Sequence, residues 1–345
     1  MQRAAGKKRY EVLCLERQAG LCNSRNERET GKKFMIIRPF GEKDQEGIKS
    51  LFKACFGKEM STEEWTWKYK NSYLGSSAAV AEDDGRIIAH YGGLKMCFHY
   101  NGGTLDAYQG CDAMTHPEYQ SRGIIVKTAL GFYEAYPGRE FMFGFPSERH
   151  AMVAKKWLGW EKHVFISEMI KEVSRFSLRR SPWRVDTGWD RIAAGEINAL
   201  WARTKDSRNL SLEKKSDYIY WRYRDCPGKE YEIILFRGRL VNDLKAYAVV
   251  LEQKDELRVL DLIASRSMKA KKLMGCLEQR AAAKGMKTIR LWMNPHEREC
   301  GELRDAGYRE EKGIPLTLRI FEGSDFSPAC FFEQYNYSMG DYDAA

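Results

Sequence analysis

The stretch Met114-Thr115-His116-Pro117-Glu118-Tyr119-Gln120-Ser121-Arg122-Gly123-Ile124-Ile125-Val126 decides how this chain folds. An apolar, strand-like run ends at Pro117, which has no backbone N–H to continue a ladder. A short polar turn follows, and Gly123 opens a run with helical spacing. A helix start presents amides without an intrahelical acceptor and the positive end of the dipole. That arrangement suits a pyrophosphate, and glycine at 123 lets phosphates come close to the backbone. On the residues alone, the segment is either a phosphate cradle or an ordinary strand–turn–helix corner.

Periodicity and punctuation outward from it give an α/β pattern. Residues 36–38 read as a strand. Residues 43–55 read as a helix, with Ile48, Leu51, Phe52 and Cys55 on one face. Ser61-Thr62-Glu63-Glu64 is a capping box that opens a second helix through Tyr69. Strands follow at 78–81 and 86–92 about Asp84-Gly85, then a hairpin of 94–100 and 104–114 about Asn101-Gly102-Gly103. After the quoted segment come a helix over 123–135, a strand over 140–145, and a helix over 148–158 closed by Gly159.

The pattern then repeats. Trp67-Lys68-Tyr69-Lys70 returns as Trp221-Arg222-Tyr223-Arg224, 154 residues on. Gly85-Arg86-Ile87 returns as Gly238-Arg239-Leu240, Asp112 as Asp261, Pro146-Ser147-Glu148-Arg149 as Pro295-His296-Glu297-Arg298, and Gly159-Trp160 as Gly307-Tyr308. The order is kept and the offset drifts slowly, which points to two copies of one domain, a period too long for a solenoid unit. The expected organisation is a basic leader over 1–34, a first copy over 35–172 and a connection over 173–186. A second copy spans 187–323 and an aromatic, acidic tail 324–345.

The motif, the element order and the Gly-aromatic ending at Gly159-Trp160 resemble the GNAT acetyltransferase superfamily. The tandem arrangement resembles its two-domain, Eis-like members. In the family's Q/R-x-x-G-x-G/A motif, Gln120, Arg122 and Gly123 fit, whereas Ile125 replaces the last small residue. The resemblance implies two α/β (α+β) domains, each a mixed, mostly antiparallel twisted sheet flanked by helices. It implies acetyl-CoA as co-substrate and no metal. Backbone groups of Met114 and Thr115 would pair with the pantetheine arm as an added strand does, and the run Gln120, Ser121, Arg122, Gly123, Ile124, Ile125 and Val126 would hold the pyrophosphate. The slot for the thioester would lie between the strands carrying Met114 and Phe145. Copy two has Ser265-Arg266-Ser267-Met268-Lys269-Ala270 in place of the loop, so it is expected to keep the fold without the cofactor.

Acetyl transfer needs a neutral amine, a polarised thioester and a proton for the leaving thiolate. The family's usual tyrosine position is Lys155 here, and its asparagine position is Glu148. Asp112 is the first candidate base, because a carboxyl buried in an apolar strand has a raised pKa. Glu148 is the second. Each has a structural alternative, since Asp261 and Glu297 recur in copy two. His116 and His150 are further candidates.

Composition limits the alternatives. The chain has 345 residues and a net charge of +9, but residues 1–34 alone hold nine Lys/Arg against four acids. The folded part is therefore only mildly basic, which argues against nucleic acid. Met35 is a candidate start, which would make the leader an over-long gene call. No apolar run is long enough for a membrane span. Nine cysteines without a C-x-x-C pair fit a reducing, cytoplasmic setting. The expectation is an N-acetyltransferase moving an acetyl group to a primary amine of a small-molecule acceptor, with room for a homo-oligomer. The alternatives are a Fem-like aminoacyl transferase using charged tRNA and a non-catalytic acyl-CoA-binding protein.

Overall fold

The computed structural model describes residues 35–173, 181–265 and 267–343. The leader and the middle of the connection lie outside the described residues. The first half runs β1 (Ile36–Pro39), α1 (Gln45–Phe56), α2 (Thr62–Trp65), β2 (Ser76–Asp83), β3 (Arg86–Tyr100), β4 (Gly103–Thr115), α3 (Ile124–Ala135), β5 (Phe141–Gly144), α4 (Glu148–Leu158) and β6 (Val164–Glu172). The second runs β7 (Arg184–Thr187), α5 (Ala194–Thr204), β8 (Leu210–Leu212), α6 (Ser216–Ile219), β9 (Glu232–Arg237), β10 (Leu244–Gln253), β11 (Glu256–Ala264), α7 (Ala270–Ala283), β12 (Thr288–Trp292), α8 (Arg298–Arg304) and β13 (Arg309–Ile320). A last helix, α9 (Pro328–Gln334), opens the tail.

Among the described residues, thirteen strands form one continuous sheet, ordered β1-β2-β3-β4-β5-β13-β6-β12-β11-β10-β9-β7, with β8 beside β3. Pairing is antiparallel except for β4 with β5 and β11 with β12. The architecture is the mixed α/β fold expected from the sequence. The order also shows a strand exchange. β13, the last strand of the second half, pairs with β5 over Thr317–Ile320. β6, the last strand of the first half, pairs with β12 over Glu168–Glu172. The two exchanged strands pair with each other in the centre, Arg309 opposite Ile170 through to Leu316 opposite Val164. Each half thus has six strands in equivalent order, and the sixth comes from the other half.

The glycine pair Gly92-Gly93 separates two strands in the sequence pattern but lies inside a single strand, β3. The reason is packing. A Cβ at Gly92 would sit 2.8 Å from His90 Cε1, and one at Gly93 would sit 2.9 Å from the rings of Phe132 and Tyr108. These glycines admit neighbouring side chains, and no turn is needed.

The repeated Trp-x-Tyr motifs each fold as one turn of π-helix, Thr66–Lys70 after α2 and Tyr220–Arg224 after α6. They meet on the pseudo-twofold axis. Trp67 and Trp221 stack with centroids 5.2 Å apart and planes 16° apart. Trp67 Nε1 donates to Trp221 O at 2.6 Å, and Trp221 Nε1 donates to Trp67 O at 3.0 Å. Both indoles are buried, so each N–H requires its partner. Either Trp→Ala change should cost about 3–5 kcal/mol in urea unfolding. The double change should cost less than the sum of the two, because both singles break the same pair.

Candidate functional site

β4 and β5 are hydrogen-bonded over only three residue pairs, from Ala107 with Phe141 to Gln109 with Phe143. β5 then ends at Gly144, while β4 continues to Thr115. The strands therefore part above the start of α3, leaving a cleft with a free β4 edge. At the mouth, Gln120 Nε2 donates to Thr115 O at 3.3 Å, and Arg122 donates to Glu118 O at 3.0 Å while lying over the Tyr119 ring. These contacts shape the turn. Ser121 and Gly123 take left-handed φ of 64° and 71°. A Cβ at Gly123 would meet nothing within 4 Å, so the glycine that caps α3 borders open space. Ile124, Ile125 and Val126 form that first turn and have no intrahelical acceptor. Thr115 Oγ1 is buried with no partner among the described residues. Open space, unpaired amides and an orphaned hydroxyl fit a pyrophosphate-bearing ligand with an amide arm. Met114 has only its backbone to offer there: its side chain is 2% exposed and packs among Ile48, Leu51, Trp65 and Tyr69.

Asp112 lies at a bulge in β4. His90 faces Met114 and Gly92 faces Cys111, so Asp112 and Ala113 together oppose Tyr91. Asp112 takes a φ of 46°, which turns its carboxylate toward the π-helical turn. Tyr69 OH donates to Asp112 Oδ2 at 2.5 Å, and Lys68 Nζ lies 2.9 Å from Asp112 and 3.0 Å from Asp343 of the tail. Burial pushes the Asp112 carboxyl up, but Lys68 and the Tyr69 hydroxyl outweigh it and hold the pKa below the usual range. Burial pushes Lys68 down, and Asp112 and Asp343 more than reverse it, keeping the ammonium charged. The raised pKa expected for an acid in an apolar strand is thus absent, because its counter-charge comes from elements distant in sequence.

His90 completes the cluster. Its Nδ1–H donates to Asp112 O at 2.8 Å, since a carbonyl only accepts. In the neutral ring Nε2 keeps its lone pair, and it is buried without a partner among the described residues. Burial lowers the pKa of this ring. Lys68 stands out in the sequence only as a member of the repeated Trp67–Lys70 motif, and no spacing singles out His90 or Asp343. The other candidates lie elsewhere. Glu148 is exposed in the first turn of α4, 3.9 Å from Lys312. Lys155 is exposed on the same helix. His150 is half-buried and pushed down by burial, and His116 meets Arg86 at 2.6 Å.

The second half repeats this geometry with different chemistry. β11 and β12 pair from Glu256 with Thr288 to Val259 with Leu291, and β11 runs on to Ala264. Lys214 stands where Lys68 does in charge terms, 3.0 Å from Asp261 and paired with Asp341. Tyr223 donates to Asp261 as Tyr69 does to Asp112. The tail joins the two halves: Gln109 Nε2 donates to Asp341 O at 2.6 Å, and the Tyr342 ring packs on both Phe145 and Trp292. Between the parted strands β11 and β12 lies a cavity of about 670 Å³, walled on its other side by residues 206–209, by Ser211 and by the tail. Glu297, at the start of α8, faces it. Burial pushes the Glu297 carboxyl up to about 7, with Arg208 and Asn336 opposing.

Residues 36–161 match the family model of the acetyltransferase (GNAT) domain. The chain carries a GNAT domain. No curated protein matches the sequence. Among solved structures, a probable N-acyltransferase of unknown function from Enterococcus faecalis superposes with a TM-score of 0.68 at 9% identity, over 84% of this chain and 73% of that one. A GCN5-related N-acetyltransferase from Anabaena variabilis gives 0.64 at 10% identity, over 83% and 73%. A tandem GNAT protein from the clavulanic acid biosynthesis pathway gives 0.55 at 10% identity, over 85% of this chain and all of that one. These likenesses extend the GNAT fold across both halves. A GNAT fold is an acyl-transfer scaffold.

Two outcomes follow from the buried charges. Lys68→Met should destabilise the protein by about 3–5 kcal/mol in denaturant titrations at pH 7, because it leaves Asp112 and Asp343 unpaired. Glu297 behaves oppositely. Its pKa of about 7 exceeds the unfolded value, so the folded state holds an extra proton between pH ~4.5 and ~7, and stability falls as pH rises through that window. Glu297→Gln should raise the melting temperature at pH 8 by about 2–4 °C and leave it unchanged at pH 4.

Proposed function

We propose that the first half transfers an acetyl group from acetyl-CoA to a primary amine of a small-molecule acceptor. The observation that carries this is the parting of β4 from β5 beside a helix whose left-handed capping glycine, Gly123, borders open space. Amides of Arg122 to Val126 would take the pyrophosphate, and the free β4 edge at Met114 and Thr115 would pair with the amides of the pantetheine arm as an added strand does. Acetyl-CoA supplies the activated thioester carbonyl. The acceptor nitrogen attacks that carbonyl, the C–S bond breaks, and the amine loses a proton as the thiolate gains one.

The residues divide this work. Asp112 is held as a carboxylate by Lys68 and Tyr69, so its role is positional and electrostatic. It fixes the bulge and orients His90 through its backbone carbonyl. Glu148, solvent-exposed and loosely paired with Lys312, lies at the β5 end of the cleft and can pass the amine's proton to water. Lys155 faces solvent, away from any thiolate in the slot, which favours one second reading, an acyl-CoA-binding protein without turnover.

Calorimetry with acetyl-CoA tests the assignment. Wild-type protein should bind it, and Gly123→Glu should abolish binding while the protein still unfolds cooperatively at a melting temperature lowered by only a few degrees, because the added carboxylate meets the phosphate site and a side chain at this left-handed position costs about 1–2 kcal/mol. Binding without turnover across a panel of primary amines would support the second reading. No binding by wild-type protein would sink both.

A further inference from the structure

The cavity of the second half has no part in the transfer assigned to the first. Its lining carries several carboxyl groups and two buried polar oxygens without a partner among the described residues. Ser211, on β8, is 1% exposed, and its hydroxyl has no partner among the described residues although the residue lines the cavity. Asn336 Oδ1, from the tail, is likewise buried and unmet at the same wall. Glu297, Glu299 and Glu333 add carboxyl groups. Asp206 lines it too, 3.1 Å from His99. The nearby cations are engaged or peripheral. Lys214 is locked between Asp261 and Asp341, and Arg208 donates to Leu262 O at 3.2 Å. Arg298 is 75% exposed and lies 3.8 Å from Glu302.

Buried acceptors without donors are costly, and a ligand bringing N–H groups satisfies them. A phosphate-bearing ligand would meet the wrong charge here. The start of α7 also differs from that of α3, since its flanking Lys269 has an ordinary φ of −86° where α3 has the left-handed Gly123. We propose that this cavity is a second ligand site, for a small primary-amine cation, with Glu297 meeting the ammonium and Ser211 and Asn336 accepting from its flanking donors. The site spans β8, α8 and the tail. The tail continues to Asp341 and Asp343, which touch the charge clusters of both halves.

The test is calorimetry on the full chain with ethanolamine and glucosamine, using ethylene glycol and N-acetylglucosamine as uncharged controls. At least one amine should bind once per chain, and neither control should. Glu297→Gln and Ser211→Val should each weaken binding about tenfold or more, while Gly123→Glu should leave it intact. The melting curve of Glu297→Gln separates lost binding from lost folding. Absence of amine binding by wild-type protein would overturn the proposal, as would equal binding by Glu297→Gln. Loss of amine binding in Gly123→Glu would place the amine in the first cleft and also overturn it. Binding of acetyl-CoA by Gly123→Glu that Ala264→Trp removes would make the cavity a second acyl-carrier site instead. Failure of acetyl-CoA to bind anywhere would sink the transfer assignment without touching this one.

Discussion

One strand carries the join on which the rest of the molecule depends. β13 pairs with β6 along Arg309–Leu316 and with β5 along Thr317–Ile320. Removing it would expose the edge of β5 and the edge of β6 together. An unpaired strand edge leaves N–H and C=O groups without partners, and inside a sheet that cost is large. Neither half can therefore complete its own sheet, and the two must form together. The cleft-bearing strands β5 and β12 are short and are held on their outer edges by strands lent from the other half. The width of each cleft is set from across the axis.

The same reciprocity governs the buried charges. Lys68 and Lys214 come from the segments around the paired π-helical turns, Asp112 and Asp261 from the bulged strands, and Asp343 and Asp341 from the tail. Each lysine is buried between two carboxylates. Such a group survives in a low-dielectric interior only when its geometry is complete. The tail, bonded to both lysines, is thus part of the core and not an appendage, and Tyr335 at 0% exposure against Phe98 and Phe143 says the same in apolar terms.

Much of this was legible in the sequence, and the limits have physical causes. The offset of 154 residues between the two Trp-x-Tyr motifs proved to be the distance between two indoles stacked on the axis. The strand–turn–helix read at Met114–Val126 is present, with β4 ending at Thr115 and α3 starting at Ile124. The strand exchange was not legible, because a repeat shows that two last strands are alike and not which sheet each one joins. Gly92-Gly93 suggested a break, because a glycine that admits a neighbour's ring looks like one that turns the chain. The lowered pKa of Asp112 depends on Lys68 and on Asp343, whose distance along the chain no local pattern encodes. The second cavity was hidden by its own loop: the absence of Arg-Gly after β11 spoke only about phosphate.

The two halves then differ in the sign of what they present. In the first, the parted strands end over unpaired amides and a left-handed glycine, a surface of donors. In the second, equivalent strands part over Glu297, an unmet hydroxyl and an unmet amide oxygen, a surface of acceptors. A duplicated fold supplies two clefts of like shape, and shape alone cannot assign them ligands. The side chains at the cleft walls do. Glu148 and its repeat Glu297 show how little is needed: one is exposed beside Lys312, while the other is turned into a cavity that raises its pKa to about 7. Divergence at a few wall positions, on a sheet neither half can rebuild alone, would be enough to separate the acyl-carrier site proposed for the first half from the amine site proposed for the second.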